Sequence, residues 1–144
     1  MRVAELMRTP AVVCRPTTSL KEAANMMEAR NVGSVLVVDN IGYLTGIVTD
    51  RDLALKGAGQ GRSPDVTVES IMTRDVASVA PTSDVSEASA IMQKRSVRRV
   101  PVVDDRGTIH GMVAFDDLFR NLSHEADDLM DTVLSQAIRL HASP

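Results

Sequence analysis

The sequence holds no tryptophan, one tyrosine and two phenylalanines in 144 residues. A core for this chain must therefore be built from Val, Leu, Ile, Ala and eight Met, small and adaptable side chains that suit thin layers of helix on sheet. The aromatic platforms on which single-stranded nucleic acid stacks are missing too. Basic charge is not in surplus: the formal net charge is −3, and the dispersed Lys and Arg argue against nucleic acid or any partner recognised mainly through a phosphate backbone. No run of about 18 apolar residues is present to span a membrane as a helix. The N-terminus lacks the apolar stretch of a secretory signal, so a cytoplasmic location is expected. The one cysteine, Cys14, has no partner for an internal disulfide. It lies in the apolar run Ala11-Val12-Val13-Cys14, where a buried structural thiol is favoured over a reactive one.

What remains is ordinary for a folded domain: 44% hydrophobic and 24% charged residues, in a length typical of one compact unit of ~100–200 residues. Its organisation is an internal repeat. At an offset of 65 residues, segment 3–53 aligns with segment 68–118 without gaps, and 18 of the 51 pairs are identical. That is far above what composition alone supplies, and it marks a duplication. Met7 pairs with Met72, Pro16 with Pro81, Glu22 with Glu87, Gly46 with Gly111 and Asp52 with Asp117.

Within each copy the signals follow one order. A short strand (12–15, then 77–80) leads through Pro-Thr into a helix. Ser19 and Glu22 have capping-box spacing, which Asp84 and Glu87 imitate. Leu20, Ala23, Ala24 and Met27, answered by Val85, Ala88, Ile91 and Met92, recur at helical spacing. The β-branched runs Val35-Leu36-Val37-Val38 and Val100-Pro101-Val102-Val103 read as buried strands ending at Asp39 and Asp104. Gly42 and Gly107 mark hairpin turns into strands 44–48 and 109–113, and a second helix starts at Asp50 and Asp116. The unit is β-α-β-β-α, an α/β (α+β) architecture. Neither copy of roughly 50 residues buries enough surface alone, so the two should pack around a pseudo-two-fold axis.

The expected organisation is a first repeat with its linker over 1–66, a second repeat over 67–122, and a C-terminal amphipathic helix and tail over 123–144. Gly57, Gly59, Gly61 and Pro64 read as flexible linker. Leu129, Met130, Val133, Leu134, Ala137 and Ile138 form an apolar face at helical spacing. That spacing leaves open whether the face packs on its own chain or on a second subunit.

The doubled unit, its Val-Val-Asp strands and the segment Gly46-Ile47-Val48-Thr49-Asp50-Arg51-Asp52-Leu53 together resemble the cystathionine beta-synthase (CBS) domain pair, or Bateman module, in its stand-alone bacterial form. The resemblance covers about residues 3–120. It implies clefts between the repeats for AMP, ADP, ATP or a related adenosyl ligand, with no cofactor required, and a signal passed to a partner. With no attached effector domain in view, the expected recipient is a separate, unidentified effector protein, and a homodimer is expected.

The residues carry chemistry of their own. An ionised Asp52 can accept two hydrogen bonds from the vicinal hydroxyls of a ribose. Thr49 offers a hydroxyl beside it, and the helix start offers backbone N–H groups to a phosphate. The same pair, Thr49 at the N-cap with an acid in the first turn, also reads as plain helix capping. Asp50 and Arg51 complete the motif and join the nucleotide-binding candidates. The second copy reads Gly111-Met112-Val113-Ala114-Phe115-Asp116-Asp117-Leu118: Ala114 removes the hydroxyl, Asp117 keeps the carboxylate, and two unequal clefts follow. Arg98 and Arg99 replace Gly33 and Ser34 of the first copy. They are either phosphate ligands of fork geometry or solvated surface charges. An enzyme is disfavoured, because His110, His124 and His141 are scattered over different elements and belong to no catalytic constellation. A ligand-free dimerisation or adaptor module is the alternative to nucleotide sensing.

Overall fold

The computed structural model describes residues 1–125 together with 134–136 and 138. The first copy folds as β1 (Val13–Cys14), α1 (Leu20–Arg30), β2 (Ser34–Val38), β3 (Leu44–Thr49) and α2 (Asp50–Asp52). β1 runs parallel to β2, and β2 runs antiparallel to β3, giving sheet order β1-β2-β3. The second copy gives α3 (Val85–Arg95), β4 (Arg99–Val103), β5 (Ile109–Ala114) and α4 (Phe115–Glu125), with β4 and β5 antiparallel. The strand expected over 77–80 is reduced to one parallel bridge, Val79 to Val102.

Local chemistry explains the shared elements. Ser19 and Glu22 close a capping box at the start of α1, the serine hydroxyl accepting from Glu22 N at 3.0 Å. At α3 the imitation is incomplete: Asp84 caps the amide of Ser86 at 2.9 Å instead. Each β-hairpin is tied by the aspartate that ends the Val-Val run. Asp39 Oδ1 accepts from the amides of Ile41 and Tyr43, and Asp104 Oδ1 accepts from those of Arg106 and Thr108. The glycines beyond them, Gly42 and Gly107, have φ of 87° and 85°, a conformation that side chains with a Cβ resist. Cys14 is buried in the first core, and that burial pushes its thiol pKa up, which fits the structural reading.

Residues 57–60 are not linker. The helix begun at Asp50 continues as a π-turn over Leu53–Gly57 and a 3-10 turn over Ala58–Gln60, before Gly61 turns it at φ 71°. Gly57 is buried, and a Cβ there would stand 3.3 Å from Leu20 Cδ1. Its glycine serves close helix packing, a use that looks the same in sequence as a loop signal. The C-terminal amphipathic face falls mostly outside the described residues. Of its members Leu134 and Ile138 are described, both helical, with Ile138 exposed.

The two copies exchange their leading segments. Val3, with Leu6 and Met7, packs into the core of the second copy alongside Val79, Met92, Val100, Val102 and Val113. Val68, Ile71 and Met72 pack into the core of the first. The backbone bonds are reciprocal: Val3 N to Ser83 O at 2.8 Å and Val85 N to Met1 O at 3.0 Å match Val68 N to Thr18 O at 2.8 Å and Leu20 N to Val66 O at 3.0 Å. Each segment then crosses the other copy's last strand. Arg8 exchanges two backbone bonds with Met112 on β5, and Thr73 two with Ile47 on β3.

These crossings account for the paired glycines. A Cβ on Gly111 would lie 2.5 Å from the carbonyl oxygen of Arg8, and one on Gly46 would lie 2.6 Å from Met72 Sδ and 3.0 Å from Thr73 O. Gly111→Ala is expected to lower unfolding free energy by about 1–3 kcal/mol, the usual range for overpacking. Gly46→Ala is expected to cost less, because a thioether yields where a carbonyl does not. Urea denaturation of both variants measures the difference, and equal losses would contradict the crossing argument.

Candidate functional site

β3 delivers Thr49 to the mouth of a cleft between the two copies. The cleft measures about 520 Å³ and is lined by Ile47, Thr49, Arg51 and Asp52 of the first copy. The crossing segment contributes Thr73, Asp75, Val76 and Ala77, and the second copy contributes Arg95 to Arg99. Of the residues expected from sequence, Thr49, Arg51, Asp52, Arg98 and Arg99 meet here. Asp50 does not line the cleft; its Oδ1 accepts from Arg51 N at 2.9 Å. Asp117 lies in the other half.

Thr49 and Asp52 form a complete capping box. The Thr49 hydroxyl accepts from Asp52 N at 3.1 Å, and Asp52 Oδ2 accepts from Thr49 N at 3.0 Å. Lys56 stands 3.5 Å from Asp52 Oδ1. Capping is thus realised, yet it leaves chemistry available. The Thr49 O–H still has its proton to donate, and a carboxylate has about four lone-pair positions. The box also fixes both side chains in advance, so little rotamer entropy remains to be lost on binding.

The backbone amides that the sequence reading offered to a phosphate are already engaged. Asp50 N donates to Gly33 O at 3.0 Å, Arg51 N to Asp50 Oδ1 and Asp52 N to Thr49 Oγ1. At the start of α2, anion affinity therefore falls to side chains. Arg95 pairs with Asp75 at 3.1 Å. Arg98 pairs with Asp116 at 3.2 Å and stands 5.3 Å over the Phe115 ring. The guanidinium groups of Arg51 and Arg99 make neither a hydrogen bond nor an ion pair among the described residues. The cleft lining holds four guanidinium groups against two carboxylates, Asp52 and Asp75.

A second cleft of about 220 Å³ is the symmetric counterpart of the first. Its lining residues Arg8, Ala11, Val12, Gly33, Ser34, Met112, Ala114 and Asp116 each lie 65 positions from a residue of the larger cleft. Arg99 lines both, and its guanidinium lies over Gly33, where a Cβ would collide with it. Asp117, the counterpart of Asp52, is absent from the lining. Arg8 covers it with Nε–H bonds of 3.1 and 3.0 Å and an Nη2–H bond of 2.8 Å. That pairing raises the Arg8 pKa further.

Sequence reasoning missed Ile47, Thr73, Asp75, Val76, Ala77 and Arg95 in the first cleft, and Arg8 in the second. The signal lay in the repeat itself: residues 73–77 align with 8–12, and the exchange brings both stretches to clefts.

The chain is similar to known proteins in sequence and in fold. A family model described as the CBS domain matches residues 3–58 and 68–124. The CBS domain-containing protein YhcV of Bacillus subtilis is 36% identical over 125 residues, covering 86% of this chain and 88% of the relative. The CBS domain pair of protein MJ0100, solved in complex with 5'-methylthioadenosine and S-adenosyl-L-methionine, matches with TM-score 0.81 and 30% identity over 87% of this chain and 98% of that one. The CBS domain protein PAE2072 from Pyrobaculum aerophilum, complexed with AMP, matches with TM-score 0.77 and 25% identity over 82% and 90%.

Removing the Thr49 hydroxyl should cost the cap. Thr49→Val is expected to destabilise the fold by about 1 kcal/mol in urea denaturation, and no loss would mean that the box contributes nothing to the helix start.

Proposed function

Since the chain belongs to the CBS domain family and carries its unit twice, we propose that it is a non-catalytic regulatory module. It binds an adenine nucleotide in the cleft at Thr49 and Asp52 and passes that occupancy to a partner protein. The observation that carries this reading is the convergence, in one cleft, of a fixed hydroxyl–carboxylate pair, an apolar slot and a cationic wall. Asp52 accepts from the ribose cis-diol and Thr49 donates to the same sugar or its phosphate. Ile47, Val76, Ala77 and Val97 supply the flat apolar slot for adenine, in a volume within the roughly 300–1,000 Å³ range of small-molecule sites. Arg51, Arg98 and Arg99 answer the phosphate in place of the engaged amides. Solved relatives that hold AMP, or methylthioadenosine with S-adenosylmethionine, support an adenosyl ligand. The surplus of guanidinium groups favours the phosphorylated members of that class, AMP, ADP and ATP, over the sulfonium. We read the module as cytoplasmic, where such nucleotides are plentiful; no helix among the described residues is long and apolar enough to cross a membrane.

A second reading, dimerisation or adaptor work without a ligand, is favoured by a different surface. Ser89, Met92, Gln93, Val97, Arg98 and Phe115 line a groove of about 460 Å³ at α3 and the start of α4. Phe115 and Phe119 are exposed there, with ring centroids 6.2 Å apart. This surface supports a homodimer and is compatible with nucleotide sensing.

Thermal melting with AMP, ADP, ATP, NAD or S-adenosylmethionine tests the reading. A ligand at ~100 times its Kd stabilises the native state by about 2.7 kcal/mol, and the midpoint should rise with nucleotide in the wild type but not in Asp52→Ala. No shift with any of the five would favour the adaptor reading. Arg98→Ala should weaken ATP more than adenosine, as read by titration calorimetry, and equal losses would remove Arg98 from the phosphate.

A further inference from the structure

The two clefts descend from one unit, and among the pairs of positions at which they differ, two bear on the paired carboxylates Asp52 and Asp117. Thr73 of the first cleft is matched by Arg8 in the second, and Thr49 is matched by Ala114. Arg8 reaches the cleft because the leading segment crosses β5 there, held by backbone bonds to Met112 of 2.8 and 3.1 Å. From that anchored position its guanidinium takes both oxygens of Asp117. The Asp117 side chain is left 12% exposed, and Arg120 approaches it at 3.6 Å. Asp52 is about as shielded, at 16% exposed, but the small side chain of Thr73 leaves it with only Lys56 at 3.5 Å and the cap bond from Thr49 N, whereas Arg8 engages both oxygens of Asp117.

We propose that the second cleft is a latent nucleotide site, locked by the Arg8–Asp117 ion pair, so that each chain holds one nucleotide. A diol entering this cleft must displace a guanidinium from a shielded carboxylate, exchanging bonds charged on both sides for hydroxyl-to-carboxylate bonds charged on one side only. It also finds no hydroxyl at position 114 to repay that loss. The lock and the missing hydroxyl are separable, and both can be reversed by writing the first copy's residues into the second: Arg8→Thr and Ala114→Thr. This inference rests on the first cleft being a nucleotide site, and the test keeps the two apart.

The experiment is calorimetric titration with ADP at low salt, on chains whose folding is checked by circular dichroism. The wild type is expected to bind one ADP per chain. Ala114→Thr alone is expected to stay at one, because Arg8 still covers Asp117, and the double variant Arg8→Thr/Ala114→Thr is expected to bind two. Adding Asp52→Ala to the double variant should return it to one. If the double variant does not fold, Arg8→Gln with Ala114→Ser carries the same expectation. Two ADP per wild-type chain would overturn the lock, and so would one per chain in a folded double variant. A wild type that binds none beside a double variant that binds one would sink the first-cleft reading and uphold the latent site. Absence of binding from every form would overturn both.

Discussion

The exchange of leading segments is the constraint on which the rest of this molecule depends. A unit of about 50 residues buries too little surface to stand alone, and here each copy is completed by the other. Val3 and Val68, both fully buried, fill cores that belong to the opposite copy. Neither half can lose its partner without losing part of its own core, so the pair is built to unfold as one cooperative unit. The crossings of Arg8 over Gly111 and of Met72 and Thr73 over Gly46 require glycine at both places, which explains why that pair survives among the identical positions.

The same crossings decide what the clefts contain. Residues 8 and 73 lie on β5 and β3, at the mouths of the two clefts, because the exchanged segments must pass there. A duplication therefore supplies two clefts of one plan, and the residue at this place on each crossing segment is one of the differences between them. Threonine leaves the first carboxylate to Lys56 and its own cap; arginine takes both oxygens of the second. Arg99 adds a further asymmetry, since it lines both clefts while its counterpart Ser34 is buried and lines only the smaller one. Guanidinium groups reach the first cleft mainly from the second copy, so an anion there bridges the halves. On the proposed function, that bridge would give occupancy a physical route to the surface at α3 and α4, through Arg98 and its contacts with Asp116 and Phe115.

Much of the fold was legible because the repeat doubled every weak signal. The capping box at Ser19, the Val-Val-Asp strand ends and the hairpin glycines each recurred 65 residues later. Thr49 and Asp52 stood out for the same reason. What stayed hidden was long-range. No local pattern says that Val3 packs against Val79 rather than within its own copy, and so neither Arg8 nor Thr73 could be assigned to a cleft. Gly57 failed for another reason: a glycine needed for helix contact and a glycine needed for a turn carry one letter. The helix-start amides looked free in sequence because the acceptors that engage them, Gly33 O and the side chains of Asp50 and Thr49, depend on three-dimensional closure.

The central claim is that an adenine nucleotide binds between the copies, in the cleft at Thr49 and Asp52. Amide chemical shifts followed by NMR during an ADP titration report on it most directly. The account predicts perturbations concentrated at residues 47–52, 73–77 and 95–99, one stretch from each wall of that cleft. Shifts centred instead on Arg8 and residues 111–117, or confined to the groove at α3 and α4, would contradict it.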